Sequence, residues 1–268
     1  MKTKQYFIFA IVSIILFGQL SCKKDHISEP IGHSVAFPLN SFPLSIGNYW
    51  KYSTEIRVYT QTGFLIYTID YIHDWEIISD TMIAGFQTSK MSRIDSSLTD
   101  SSVNSAMVYY TNQPDGFFGV AYDGNIPMID MRSSSNKLNY FSCFGINPEY
   151  NQTDTLIVFN DYFRILKFPS NPNDIWSPIL NNNMLVGKRK WLGYSTITTP
   201  AGTFNCIKLE IFTDSNNDNL PDTGQASTFQ YFSDKGLIRE ETIQALTFGC
   251  INTVDTMKRV TNLVLCNF

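Results

Sequence analysis

Residues 50–58 alternate along an extended chain, with Trp50, Tyr52, Ile56 and Val58 on one side and Lys51, Ser53, Glu55 and Arg57 on the other. A strand reverses its side-chain direction at every residue, so this pattern gives one ribbon a dry face and a wet face. Residues 65–77 do the same: Leu65, Tyr67, Ile69, Tyr71, Trp75 and Ile77 share one face, and Thr68, Asp70, Asp74 and Glu76 share the other. Gln61-Thr62-Gly63 supplies the reversal between them, which predicts an antiparallel hairpin with both apolar faces turned the same way. A long 3.6-residue period, the mark of an amphipathic helix, is missing from the chain.

Shorter strand-like segments follow at 86–94, 106–112, 117–122, 155–159, 162–168, 185–198, 203–212, 227–233, 237–245 and 256–266. Pro114-Asp115-Gly116, Asp123-Gly124-Asn125, Pro200-Ala201-Gly202 and Asp234-Lys235-Gly236 provide the reversals. The expectation is one all-β domain over 44–268, a strongly curved antiparallel sheet or unclosed barrel with at most a short helix. Residues 123–153 have no clear period and read as a long loop or a loop with a short helix. An internal echo places Phe42-Pro43 eight residues before Trp50 and Phe168-Pro169 eight before Trp176. Coincidence or two similar entries into a sheet would each account for it.

The chain begins with Lys2 and Lys4, an uncharged run from Tyr6 to Phe17, then Gln19-Leu20-Ser21-Cys22. This order of charged, apolar and small residues is that of an export signal. The apolar run of about 12 residues would reach roughly 18 Å as a helix, well short of a bilayer's hydrocarbon core of roughly 30 Å. Gln19-Leu20-Ser21-Cys22 resembles a lipoprotein cleavage site, with one residue between Leu20 and Cys22 where the motif has two. The resemblance implies a signal peptide over 1–22 and fatty acyl chains such as palmitate on Cys22, hence a membrane partner through a lipid anchor. Residues 23–43 read as a flexible tether.

With 20 basic residues against 24 acidic, the chain carries a net charge of −4, and no basic stripe suits nucleic acid. Lys188-Arg189-Lys190 is short and reads as a solvated strand end. Three histidines occur, and His26 and His33 lie on the tether, leaving His73 on the face of Tyr71 and Trp75 as a hydrogen-bonded core or groove residue. No Gly-x-Ser-x-Gly elbow, Cys-x-x-Cys or His-x-x-x-His pair is present, so neither a nucleophile nor a zinc site is expected. Glu55, Glu76, Glu149 and Glu210 are scattered, and adjacent Glu240 and Glu241 must point to opposite faces of a strand. All read as surface charge, and no enzyme activity is expected.

Asp214-Ser215-Asn216-Asn217-Asp218-Asn219-Leu220-Pro221-Asp222 is the one candidate metal site. Oxygen side chains at Asp214, Asn216, Asp218 and Asp222 have the spacing of a calcium loop, and Asn219, where glycine is usual, tolerates a left-handed backbone. A solvated hairpin tip is the other reading, since Asn and Asp are common turn formers. Cys143, Cys206, Cys250 and Cys266 are even in number, and in an oxidising compartment they allow three disulfide connectivities. Cys250 with Cys266 is preferred because both lie near the closing hairpin, leaving Cys143 and Cys206 to pair or stay buried. Aromatic residues are dense between Tyr109 and Tyr150, and Tyr67, Tyr71, Trp75, Tyr109 and Phe117 are the candidates for lining a ligand groove, with filling of the sheet's inner face as the plainer role.

Gly47-Asn48-Tyr49-Trp50-Lys51-Tyr52, Phe168-Pro169 ahead of Asp174-Ile175-Trp176, Thr199-Pro200-Ala201-Gly202-Thr203-Phe204-Asn205-Cys206, and Tyr231-Phe232-Ser233 ahead of Gly236-Leu237-Ile238 together resemble a set of uncharacterised Bacteroidota outer-membrane lipoproteins. The resemblance implies a curved antiparallel sheet of the kind seen in Lol-type lipoprotein carriers (the LolA and LolB type), and no catalytic residue. On this reading the protein is an anchored cell-envelope lipoprotein that binds an apolar ligand. A structural module of a surface complex and a glycan-binding or glycan-acting protein are the alternatives, so lipid, glycan and envelope protein are the expected partner classes.

Overall fold

The computed structural model describes residues 39–123, 156–169, 171–178, 187–223, 225–247 and 254–268. The leader with Cys22, the tether up to residue 38, nearly all of the aperiodic segment, Cys143 and Cys250 lie outside the described residues.

Strands form where the alternation runs: β1 is Tyr49–Tyr59, β2 Leu65–Ile83, β3 Phe86–Ser97, β4 Val103–Gln113, β5 Gly116–Asp123 and β6 Leu156–Lys167. The second half holds β7 Ile175–Trp176, β8 Gly187–Thr199, β9 Gly202–Thr213, β10 Ser227–Ser233, β11 Gly236–Thr247 and β12 Val254–Cys266. No helix occurs among the described residues. One antiparallel sheet contains all twelve strands in the order β6-β5-β4-β3-β2-β1-β12-β11-β10-β9-β8-β7. Two departures from the expected elements have local causes. The segments read as 155–159 and 162–168 are one strand, β6, because a shift of register opposite Gly119 and Ala121 absorbs the break in period. β2 runs on past Ile77 to Ile83, the alternation being interrupted by a similar shift between Ile77 and Ser79.

The strand order makes two six-stranded meanders, β1–β6 and β7–β12, joined where β1 pairs with β12 from Trp50↔Cys266 to Tyr59↔Thr256. The sheet curves until its other two edges meet, giving a nearly closed barrel with one seam. There the Arg164 N–H of β6 donates to Pro178 O at 2.7 Å, and Arg189 of β8 donates to Ile165 O at 3.2 Å. The Phe-Pro echo falls at corresponding places in the two meanders. Phe42 and Phe168 are buried ahead of β1 and β7, and Trp50 and Trp176 are buried in those strands. Their contacts differ, however: Trp50 packs on Phe42 and Phe268, and Trp176 on Trp191.

The end of the barrel where β1, β3, β5, β9 and β11 begin, here the lower end, is filled by aromatic rings. Phe42 stacks on Phe117 with centroids 4.3 Å apart, and Trp50 packs against Phe42 at 5.8 Å and Phe268 at 5.2 Å. Asn112 holds the Phe42 backbone from both sides, accepting its N–H at 3.0 Å and donating to its carbonyl at 2.8 Å. Trp50 Nε1 donates to Lys235 O at 2.7 Å. Gly236 makes room for this arrangement: at its φ of 91°, a Cβ would lie 3.0 Å from Phe42 and 3.1 Å from the Trp50 indole nitrogen. Leu39 and Phe42, within the segment read as tether, are thus buried parts of the barrel. An apolar Phe-Pro ahead of a strand packs against the sheet it enters, so the folded part begins before residue 44.

Candidate functional site

The inner wall is ordered by depth. Along β1 the inward positions are Val58, Ile56, Thr54, Tyr52 and Trp50, and their partners on β2 are Tyr67, Ile69, Tyr71, His73 and Trp75. At the upper end Val58, Ile56 and Met257 form a buried apolar cluster against which Ile69 and Tyr71 pack, and Tyr67 lies above it, exposed. Deeper, Tyr52, Ile77, Met91 and Leu263 are fully or almost fully buried, so side chains plug the lower barrel. Of the residues read as groove lining, Tyr67, Tyr71 and Trp75 share this inner face. Phe117 belongs to the aromatic floor. Tyr109 is a correction: its neighbour Val108 pairs with inward Met91, which turns Tyr109 outward into a separate cluster with Ile83, Val120 and Ala121.

Between mouth and floor runs a polar belt. His73 bridges two strands, with Nδ1 2.7 Å from Asp95 Oδ1 and Nε2 2.8 Å from Thr54 Oγ1, and Thr54 is 2.7 Å from Thr261 Oγ1. Arg93 Nη2 lies 3.9 Å from the other Asp95 oxygen, its guanidinium 4.4 Å from the Trp75 ring centroid. Burial pushes the Asp95 carboxyl up, but the His73 hydrogen bond and the Arg93 charge outweigh it and hold Asp95 below the usual carboxylate range. The Tyr52 hydroxyl, beneath the belt, is pushed well above its usual value chiefly by burial.

The belt continues across the second meander. Glu240, the register partner of Thr261, accepts from Arg259 and, at 2.6 Å, from Gln230 Nε2. Arg189 donates to Gln230 Oε1 at 3.5 Å and lies 5.2 Å from the Phe163 ring centroid. Thr228 and Thr242 are joined at 3.0 Å. Two sequence readings are corrected here. Arg189, the middle of the basic triplet, is fully buried because alternation turns it inward while Lys188 and Lys190 face the other way. Glu240 is an inner-wall carboxylate, and Glu241 on the opposite face pairs with Arg239 as surface charge.

An aligned carboxylate, imidazole and hydroxyl are the groups that activate a nucleophile. Here the hydroxyl is engaged by both His73 and Thr261 and is only 4% exposed as part of Thr54, so the relay ties β3, β2, β1 and β12 together. Its four members are distant in sequence, and no spacing rule marks them.

The 214–222 loop closes on itself. Asp214 accepts the Asp218 N–H at 2.9 Å and the Asn219 N–H at 3.0 Å, with Lys188 Nζ 3.8 Å away. Asp222 takes the Ser215 N–H at 3.0 Å and its hydroxyl at 2.6 Å, and Asn216 donates to Asp218 at 2.9 Å. Asn219 adopts the left-handed backbone its type allows, with φ at 64°. Among the described residues no group of three or more His, Cys, Asp or Glu side chains is gathered as for a metal. The contacts present are those of a self-capped hairpin tip. Asp214→Ala removes the acceptor of two loop N–H groups and is expected to cost about 1–2 kcal/mol. Urea unfolding with and without millimolar calcium measures this and separates any cation's share from that of the hydrogen bonds. Cys206 is a buried free thiol, pushed up to about 12 by burial first and by the Asp234 charge second, and Cys266 is also buried. Cys143, the candidate partner of Cys206, and Cys250, that of Cys266, lie outside the described residues.

No protein-family model and no curated protein matches the chain. Among solved structures it is similar to a "putative lipoprotein" from Parabacteroides distasonis, at 16% identity and a TM-score of 0.39, over 84% of this chain and 97% of that one. It is also similar to a "putative exported protein with YmcC-like fold" from Bacteroides fragilis, at 14% identity and a TM-score of 0.36, over 87% of this chain and 100% of that one. Likeness this distant assigns no site and no activity.

Proposed function

We propose that this protein is a lipid-anchored envelope lipoprotein without catalysis of its own, and that the upper mouth of its barrel holds an apolar ligand. The observation that carries the reading is the inward-facing set Tyr67, Ile69 and Tyr71: Ile69 and Tyr71 pack on buried Val58, Ile56 and Met257, and Tyr67 lies above them, exposed at the rim. Such a surface gains about 25 cal/mol for each Å² of apolar area that a ligand covers. The plugged lower barrel favours a shallow site over one running the length of the lumen. Anchoring rests on Lys2, Lys4, the apolar run and Cys22.

Two measurements test the two halves separately. Intact mass of the purified protein is expected to show acyl chains on Cys22, and an unmodified or non-cysteine N-terminus refutes the anchor. For the ligand, a fluorescent fatty-acid probe is expected to bind wild-type protein and to be lost from Tyr67→Asp, a rim substitution that leaves the buried cluster in place. Absence of probe binding, together with absence of extractable lipid from natively purified protein, refutes the mouth as a site.

A further inference from the structure

β2 pairs with β3 from Tyr71 downward, whereas β1 and β2 stay paired up to Tyr59↔Leu65. The upper ends of β1 and β2, residues 55–70, therefore rise beyond β3 as a finger free on that side, closed by the Thr60 N–H to Phe64 O bond at 2.8 Å and by Gly63, while its other side stays paired with β12 up to Tyr59↔Thr256. Its apex is Phe64-Leu65-Ile66-Tyr67, exposed by 74%, 54%, 49% and 46%. No charged residue occurs between Arg57 and Asp70. Beside the finger's base the Leu98 N–H donates to Asp70 O at 2.8 Å, which brings a further exposed apolar side chain to the same rim.

The geometry points to this finger as a membrane-docking element whose apex enters the interface of a lipid bilayer. Four consecutive apolar residues occupy both faces of the finger, whereas a strand made for a protein groove shows one apolar face and one polar face. The acyl side of a bilayer interface accepts apolar side chains in every direction and suits such an apex. The finger's β3-side edge constrains the depth. Its backbone groups beyond Asp70, which Leu98 and Thr99 still hold, have no strand partner there and need water, so penetration stops at the headgroup and acyl boundary, where Tyr67 is suited to lie. With no charge on the part of the finger between Arg57 and Asp70 and a net charge of −4 on the chain, attraction to anionic headgroups contributes nothing, and docking is expected on neutral lipid and to be insensitive to salt.

The inference rests in one respect on the anchored reading. The chain reaches the lower end of the barrel at Phe42, in its aromatic floor, and about 19 residues between Cys22 and that point reach roughly 65 Å when extended. The wall from there to the finger's apex is shorter, roughly 40 Å for about 15 strand residues at an ordinary tilt. The tether therefore allows the apex to reach the same bilayer that holds the acyl chains.

The test uses the full chain with vesicles of phosphatidylcholine, plain or brominated in the acyl region, and Phe64→Trp as reporter. The control is Ile46→Trp, at a position 60% exposed at the opposite end of the barrel. Relative to wild type, the Phe64→Trp protein is expected to show a blue-shifted emission that brominated lipid quenches, unchanged by added salt and abolished by a second substitution, Ile66→Asp. The Ile46→Trp emission is expected to be unaffected. Lack of quenching at position 64, or equal quenching at both positions, overturns the inference. A blue shift that grows with protein concentration in the absence of vesicles assigns the finger to a second copy and also overturns it. Because the vesicles are added from outside, a chain lacking acyl groups gives the same readout, so failure of the anchor and failure of the finger are told apart.

Discussion

Trp50→Ala is expected to lower folding stability by about 3–5 kcal/mol, the largest loss from any single truncation in the barrel. The indole is fully buried, and its removal opens a cavity at the point where three chain segments meet. Phe42 loses a ring neighbour at 5.8 Å, Phe268 one at 5.2 Å, and the Lys235 carbonyl loses its donor at 2.7 Å. The cavity cannot collapse readily because Phe42 is clamped by Asn112 and stacked on Phe117. The urea midpoint is expected to fall sharply with the slope unchanged. A loss under about 1 kcal/mol would mean that the aromatic floor does not plug the lower end of the barrel.

Asp95→Ala is expected to cost about 3 kcal/mol, since it removes the carboxylate that faces both buried His73 and Arg93. The figure is taken at the low end for a broken buried pair because the Asp95 side chain keeps 20% exposure. Asp95→Asn, which retains an acceptor, is expected to cost less and to separate charge from hydrogen bonding through pH. The folded-state pKa of Asp95 lies below its unfolded value, so the stabilisation from its charge is fully present above the unfolded value, near 4. It is lost as pH falls through the depressed folded value. The part of the stability gap between wild type and Asp95→Asn that comes from ionised Asp95 is therefore expected to shrink below about pH 4. Chemical unfolding of both proteins across that range measures it, and a gap that widens with acid would contradict the assigned role of the Asp95 charge.

The parts of the fold legible in the sequence are those that depend on neighbours along the chain. Trp50 to Val58 and Leu65 to Ile77 show their faces and their hairpin directly, and the turns at Pro114-Asp115, Pro200-Ala201 and Asp234-Lys235 punctuate strands where expected. The two-residue β7 is too short to carry a period, and Arg189 and Glu240 read as surface charge because alternation gives a side without saying which side is inside. Tyr109 was drawn to the groove by its residue type, while the register of Val108 on Met91 turns it outward.

Side-chain alternation by itself determined that this chain folds as strands with two distinct faces, because the direction of each side chain in a strand follows from its position modulo two. Tertiary structure decided which polar residues meet on that face. Thr54 and Thr261 are 207 positions apart, and His73 and Asp95 are 22 apart. They become neighbours only when the registers of β3, β2, β1 and β12 are set, and register is a relation between strands that no single strand contains.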